Sequence, residues 1–418
     1  MTKRRIIKWL AGLGGLCVIL LFGVVLLLPR ILDSQAARET IQAFLLSKTN
    51  GNVAFGNIDL TWLPKPAVVV GGATLSFGDT VSGKIQSIEV YPSILGLIRG
   101  RLDIARVEVV SPAIAVHLSE WSEEPFDIDA IESQIRALVT AFATEIPGMI
   151  IGVRDGSLEV RIGDRPPVVI KELEGRLVAP PGEMQLQISS RANVFDSLKV
   201  EESITGDTLA TKGSIKINRL RLRESLAALF PRPDEYVDDG EISLDVVLTS
   251  VGLKKIKAEI EGTSPSLALV RRERRTVIEG VTFKGVISRD EGNVSAVLQR
   301  FDLVSPRLNT TGELTVDPAA STVQLNLAGR DLDVSGVRET ALKIAGDIGV
   351  VDDLFHHVRG GQLPEINFQA SGRSFAELDK NLAVTGALRG GNIFASVPGI
   401  DLDDVDGQFV VSHDILEA

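Results

Sequence analysis

VYPSILGLIRGRLDIARVEVVSPAIAVHL, running from Val90 to Leu118, passes from a short apolar turn through Gly100-Arg101 into strand-like sequence. Within it Ile114, Val116 and Leu118 alternate with Ala113, Ala115 and His117. A period of two puts the large apolar side chains on one face of a β-sheet. That face needs a cover. A second protein layer would make an ordinary sandwich, whereas an apolar ligand would turn the pattern into a statement about function.

The same period recurs along the chain. Ile58, Leu60 and Trp62 form one run, followed by Leu75 and Phe77, Ile88 and Val90, then Leu158, Val160 and Ile162. The clearest run is Ile242, Leu244, Val246 and Leu248, set against Glu241, Ser243, Asp245 and Thr249. Ile256, Ala258 and Ile260 continue it, as do Val323, Leu325 and Leu327, and then Ile366 and Phe368. Helical periodicity is rare. Asp33 and Ser34 offer caps for a helix over about 35–48, and Ile128, Ile131, Ile135, Leu138, Val139 and Phe142 share one face over about 127–145. Two short helices are expected at Leu222–Leu229, before Pro231, and at Val350–Val358. An apolar-x-Gly-x-apolar signature recurs around Gly175, Gly285 and Gly407, with looser versions at Gly213, Gly312, Gly346 and Gly386. Glycine within a strand marks a bulge or a close backbone approach. The signature's spacing is irregular, which predicts a meander of similar hairpins rather than a strict solenoid. No linker-like composition divides residues 52–418, and VVSHDILEA ends in strand-like sequence, so an open sheet edge is expected there.

The 418 residues carry a net charge of −11. Lys3, Arg4, Arg5, Lys8 and Arg30 lie in the first thirty, which hold no acid; without these five the chain has 39 basic and 55 acidic side chains, a balance of −16. Such an acidic body argues against nucleic-acid binding. Trp9 to Leu28 is a 20-residue run without charge, including Leu10, Val18, Leu21 and Phe22. Its length matches the hydrocarbon core of a bilayer, roughly 30 Å. Lys3, Arg4, Arg5 and Lys8 precede it, so the positive-inside rule places the N-terminus in the cytoplasm and the bulk of the chain across the membrane. Ser34-Gln35-Ala36 resembles a signal-peptide cleavage site, but the apolar run exceeds the usual signal core, which favours an uncleaved anchor. Cys17 is the single cysteine, so neither a disulfide framework nor a cysteine metal site is available.

Motifs for chemistry are sparse. Gly78-Asp79-Thr80-Val81-Ser82-Gly83-Lys84-Ile85 approaches a P-loop, but Ile85 replaces the magnesium-binding hydroxyl and strand-like residues follow where a helix is needed. His356 and His357 are adjacent and point apart on a helix, His117 lies opposite the apolar residues of its strand, and no HExxH or Gly-x-Ser-x-Gly sequence occurs. Asp401, Asp403, Asp404 and Asp406 read as a solvated acidic loop without calcium-loop spacing, and Arg271–Arg275 as a charged hairpin loop. The chain offers no clustered nucleophile, base or metal set, so a non-enzymatic protein without cofactor is expected.

Taken together, the apolar span, GNVAFGNIDLTWLPKPAVVV, PSILGLIRGRLDIARVEVVSPAIAVHL, IIGVRDGSLEV and the sequence from Val337 onward resemble the bacterial AsmA-like family, related to the chorein-type bridge-like lipid transfer proteins. The resemblance lies in the order of elements rather than in one motif. It implies a mainly β protein with few helices: a cytoplasmic tip and transmembrane anchor (1–30), an N-terminal chorein-like region (31–150) and a continuing sheet (151–418). It further implies an elongated, curved antiparallel half-pipe whose apolar concave face carries lipids, anchored in the inner membrane and projecting into the periplasm. Groove candidates are Ile114, Val116, Leu118, Ile242, Leu244, Val246, Leu248, Val323, Leu325, Leu327, Ile366 and Phe368. Expected partners are phospholipids, the inner membrane and an outer-membrane or envelope protein at the C-terminal edge, in a protein that maintains the envelope. The alternative is a periplasmic scaffold for outer-membrane protein assembly that moves no lipid.

Overall fold

The computed structural model describes residues 52–54, 56–61, 65–77, 80–93, 96, 104–119, 132–133, 136–137, 139–140, 148–206, 208–230, 237–252, 254–271, 274–346, 349–378, 381–395, 399–412 and 415–417. The expected membrane span with its flanking Lys3, Arg4, Arg5 and Lys8, the helix over 35–48 and most of the helix over 127–145 lie outside them. The described residues are mainly strand, and among them three α-helices have defined bounds. Contacts divide the chain into two compact units.

The first unit holds β1 (Asn52–Ala54), β2 (Ile58–Thr61), β3 (Ala67–Phe77), β4 (Val81–Pro92) and β5 (Ile104–Leu118). It also takes the first part of β6 (Ile150–Ile162) and the middle of β7 (Val168–Val178). β1 and β2 both pair antiparallel with β3, β3 with β4, and β4 with β5. Gly72, Ser111, Asp155 and Glu172 have φ of 64°, 47°, 52° and 51°. The apolar alternation changes phase at this left-handed step, from Val68 and Val70 to Ala73 and Leu75 on β3, and from Val107 and Val109 to Pro112 and Ile114 on β5. An extra left-handed residue in each strand therefore keeps the apolar set together where strict alternation would send it to the other face. Ser111 and Asp155 are hydrogen-bonded at 3.3 Å, and the Asp155 N–H donates to Glu174 Oε1 at 3.0 Å.

The second unit contains β8 (Glu183–Ala192), β9 (Phe195–Thr205), β10 (Ala210–Arg221), α1 (Leu222–Leu229), β11 (Val237–Val251), β12 (Lys255–Arg271), β13 (Arg274–Asp290), β14 (Asn293–Leu303), β15 (Leu308–Asp317) and β16 (Thr322–Asp333). Then come α2 (Val334–Ala345), α3 (Gly349–His357), β17 (Val358–Gly372), β18 (Ala383–Ala395), β19 (Ile400–Ser412) and β20 (Ile415–Glu417). From β8 to β20 each strand pairs antiparallel with the next. Turn chemistry sets these registers. Glu291 and Gly292, with φ of 52° and 115°, close the β13–β14 hairpin on two left-handed residues, and Asp317 Oδ1 accepts from the Ala320 N–H at 2.9 Å to close β15–β16.

Three apolar clusters stabilise this unit: one under α2 and α3, one joining Val139 to Met184 and Leu209, and one around Ile278, Val281 and Leu303. Two sequence expectations are corrected. Asp401–Asp406 is not a loop but the body of β19: Asp401 pairs with Arg359 at 3.0 Å, Asn392 donates to Asp403, and the Gly390 N–H donates to Asp406 at 2.7 Å. Gly346 is not a strand glycine; it caps α2, its N–H donating to Leu342 O at 3.2 Å.

Candidate functional site

Residues directly opposite in an antiparallel pair share a face, so the registers trace a single line of positions across the second unit. It runs Ile188, Val200, Ile215, Val246, Ile260 and Gly285 over β8 to β13. It continues through Leu298, Gly312, Leu327, Phe368, Val384 and Val411 to Leu416 on β20. Every position on thirteen successive strands is aliphatic, phenylalanine or glycine. One residue away, on the opposite face, the line is Ser189, Lys199, Lys216, Asp245, Glu261, Lys284 and Arg300. That face is laced with ion pairs such as Lys216–Asp245 at 3.0 Å and Arg219–Glu241 at 2.8 Å, where Arg219 holds the Glu241 carboxyl below its ordinary range.

Glycines on the apolar face leave room for large neighbours on the adjoining strand. A Cβ at Gly262 would stand 2.3 Å from Phe283 Cζ, and one at Gly386 2.6 Å from Phe409 Cζ. Gly213 likewise faces Glu202, a carboxylate on this face, and partial burial raises the Glu202 pKa.

Coverage of the apolar face changes along the sheet. Over β17 to β19 it is shut: Ile366 is 2% exposed, and Val384 and Val411 are fully buried. Over β11 it is half-buried at Leu244, Val246 and Leu248. The difference is α2 and α3. Asp333 caps α2 by accepting from the Ser335 N–H at 3.1 Å, and Val337, Ala341 and Ala345 repeat at i, i+4 and i+8 on the sheet side. α3 brings Leu354 and Phe355 into the core, and Arg338 Nε donates to Phe355 O at 2.8 Å, tying the helices together.

Between these helices and β14 to β17 lies a partly enclosed cavity of about 400 Å³. Leu298, Leu327 and Phe368, three members of the apolar line, form its floor, and Val337, Ala341 and Leu354 are among the helical residues lining it. Among the described residues that line it, Thr310 alone has a polar side chain. Core voids of this size are foreign to well-packed interiors.

Of the residues singled out from sequence, Leu244, Val246, Leu248, Val323, Leu325, Leu327, Ile366 and Phe368 lie on this one face, while Ile242 sits at the β11–β12 register shift. Ile114 and Val116 belong to the first unit, opposite Gly83 and Val81. Leu118, expected on the apolar face, ends its strand 44% exposed. Sequence reading missed α2 entirely, although Asp333-Val334-Ser335 is a capping signal. It also missed Glu108, 4% exposed in the first unit, whose carboxylate is held by Arg106 at 2.6 Å and Arg154 at 2.7 Å. Arg154 also reaches Glu89, which accepts from Tyr91 and raises the tyrosine pKa.

Lys84 lies inside β4, with strand rather than helix after it. Arg271 and Arg274 face each other at the ends of β12 and β13. His357 Nδ1 lies 2.9 Å from Phe394 O, His356 packs edge-on against the Phe394 ring, and Arg359 lies over that ring at 4.1 Å. Among the described residues no group of three His, Cys, Asp or Glu is placed to hold a metal, and no helix is long and apolar enough to cross a membrane. No family model, curated protein or solved structure matches the chain.

Proposed function

We propose that this is an AsmA-like, non-enzymatic protein, anchored in the inner membrane by Trp9–Leu28, that carries or guides lipids along its sheet towards the outer membrane. In this reading the sheet curves, the apolar line of the second unit is its concave lining, and phospholipid acyl chains take the place of a second protein layer. The observation that carries the reading is the unbroken apolar line from Ile188 to Leu416 beside a charged line on the other face. Burial of apolar surface is worth about 25 cal/mol per Å², so a half-buried face of this extent binds hydrocarbon favourably. Its test is lipid analysis of the purified full chain and of Val246→Asp: diacyl lipid bound to the wild type and depleted in the folded variant supports it.

The scaffold reading rests on a different feature. Among the described residues β20 pairs with β19 only at Val410–Ser412, and β19 is otherwise paired on its β18 side. An open edge of that kind receives another strand by β-augmentation. A protein that carries no lipid yet supports outer-membrane protein assembly would favour it.

A further inference from the structure

We infer that the cavity beneath α2 and α3 is a terminal pocket for one hydrocarbon chain, which takes the methyl end of an acyl tail and leaves the headgroup outside. The inference rests on the lipid-carrying reading and adds a place and an orientation to it. Leu298, Leu327 and Phe368 are at once members of the apolar line and floor of the cavity, so a chain lying along the line meets the pocket without crossing polar surface. The space exists because small residues face it: Ala341 and Ala345 from α2 and Gly329 from β16. Among the described residues no charged side chain lines it, and Thr310 provides a single hydroxyl. A phosphate or a carboxylate entering such a wall would lose its hydration with nothing in return. The volume, about 400 Å³, falls at the small end of ligand pockets, roughly 300–1,000 Å³, which suits one tail and not a whole diacyl lipid.

The test uses the full chain held in an amphipathic polymer, with stearic acid spin-labelled near its methyl end (position 16) or near its carboxyl (position 5). Phe355→Trp places a fluorophore in the cavity wall, and Val304→Trp, at a position 71% exposed, serves as the control. The 16-labelled acid is expected to quench Phe355→Trp at least twofold more than the 5-labelled acid, with no such difference at Val304→Trp. Ala341→Phe, which fills the space, should weaken stearate binding about tenfold; Ala345→Phe serves in its place if that variant does not fold. Equal quenching by the two acids, or wild-type affinity in a folded cavity-filling variant, overturns the pocket while leaving lipid carriage along the face intact. A wild-type chain that binds neither stearate nor phospholipid overturns the lipid-carrying reading itself.

Discussion

The stretch of sheet over β8 to β13 and the stretch over β14 to β19 share one apolar line, yet they differ in what covers it. Val246 on β11 is half-buried, whereas Val384 on β18 is fully buried. Both are valines on the same face, so the difference lies not in the strand but in the two helices inserted between β16 and β17. Where α2 and α3 cover the face, its side chains act as core; over β11 the same chemistry stays half-buried. Coverage, not alternation, separates core from partly exposed face here.

The comparison breaks most sharply with a charge. Val384→Asp buries an unpaired carboxylate beneath α3 and should cost about 3–5 kcal/mol, seen as loss of the cooperative denaturant transition. Leu354→Ala, at a position 1% exposed, should cost about 2–5 kcal/mol, measured the same way. On the half-buried stretch Val246→Asp should cost about 1 kcal/mol, because water reaches the new carboxylate, while bound lipid falls sharply. If Val246→Asp unfolds the protein as Val384→Asp does, the two stretches are one core and the comparison fails.

Glu202 gives the smallest effect and a sign that can be worked out. Burial raises its folded-state pKa above the unfolded value, so the ionised carboxyl disfavours the fold. Glu202→Leu should therefore stabilise the protein above the folded pKa by under about 1 kcal/mol, since the group is only partly buried. The gain should shrink as pH falls through the folded pKa and vanish below the unfolded one. A gain that does not depend on pH between pH 3 and 8 would mean that packing, not charge, is responsible.

Much of this architecture is legible in the sequence because strand alternation is a local property. Ile242 to Leu248 and Val323 to Leu327 announce their face, α1 falls at Leu222–Leu229 as its pattern predicts, and α3 occupies Gly349–His357 against an expectation of 350–358. α2 was hidden because the residues it turns to the sheet, Val337, Ala341 and Ala345, are small, with Gly336 in the first turn lowering helix propensity. Those small residues are what leave the cavity open. The cavity itself was beyond sequence reading: it needs Leu298, Leu327, Ala341 and Phe368 to meet from four separate elements. The aspartates of β19 misled for a related reason, since their partners Arg359, Gly390 and Asn392 come from β17 and β18.

The central claim is that hydrocarbon covers the apolar line where protein does not, and the most direct measurement is quantitative mass spectrometry of lipids retained by the full chain and by Val246→Asp, purified identically. Lipid that clings only to a membrane anchor is the same in both and cancels. The account predicts diacyl lipid in molar proportion to the wild-type chain and a several-fold loss in a variant whose strand signal and unfolding transition are preserved. Equal lipid in the two proteins would contradict it.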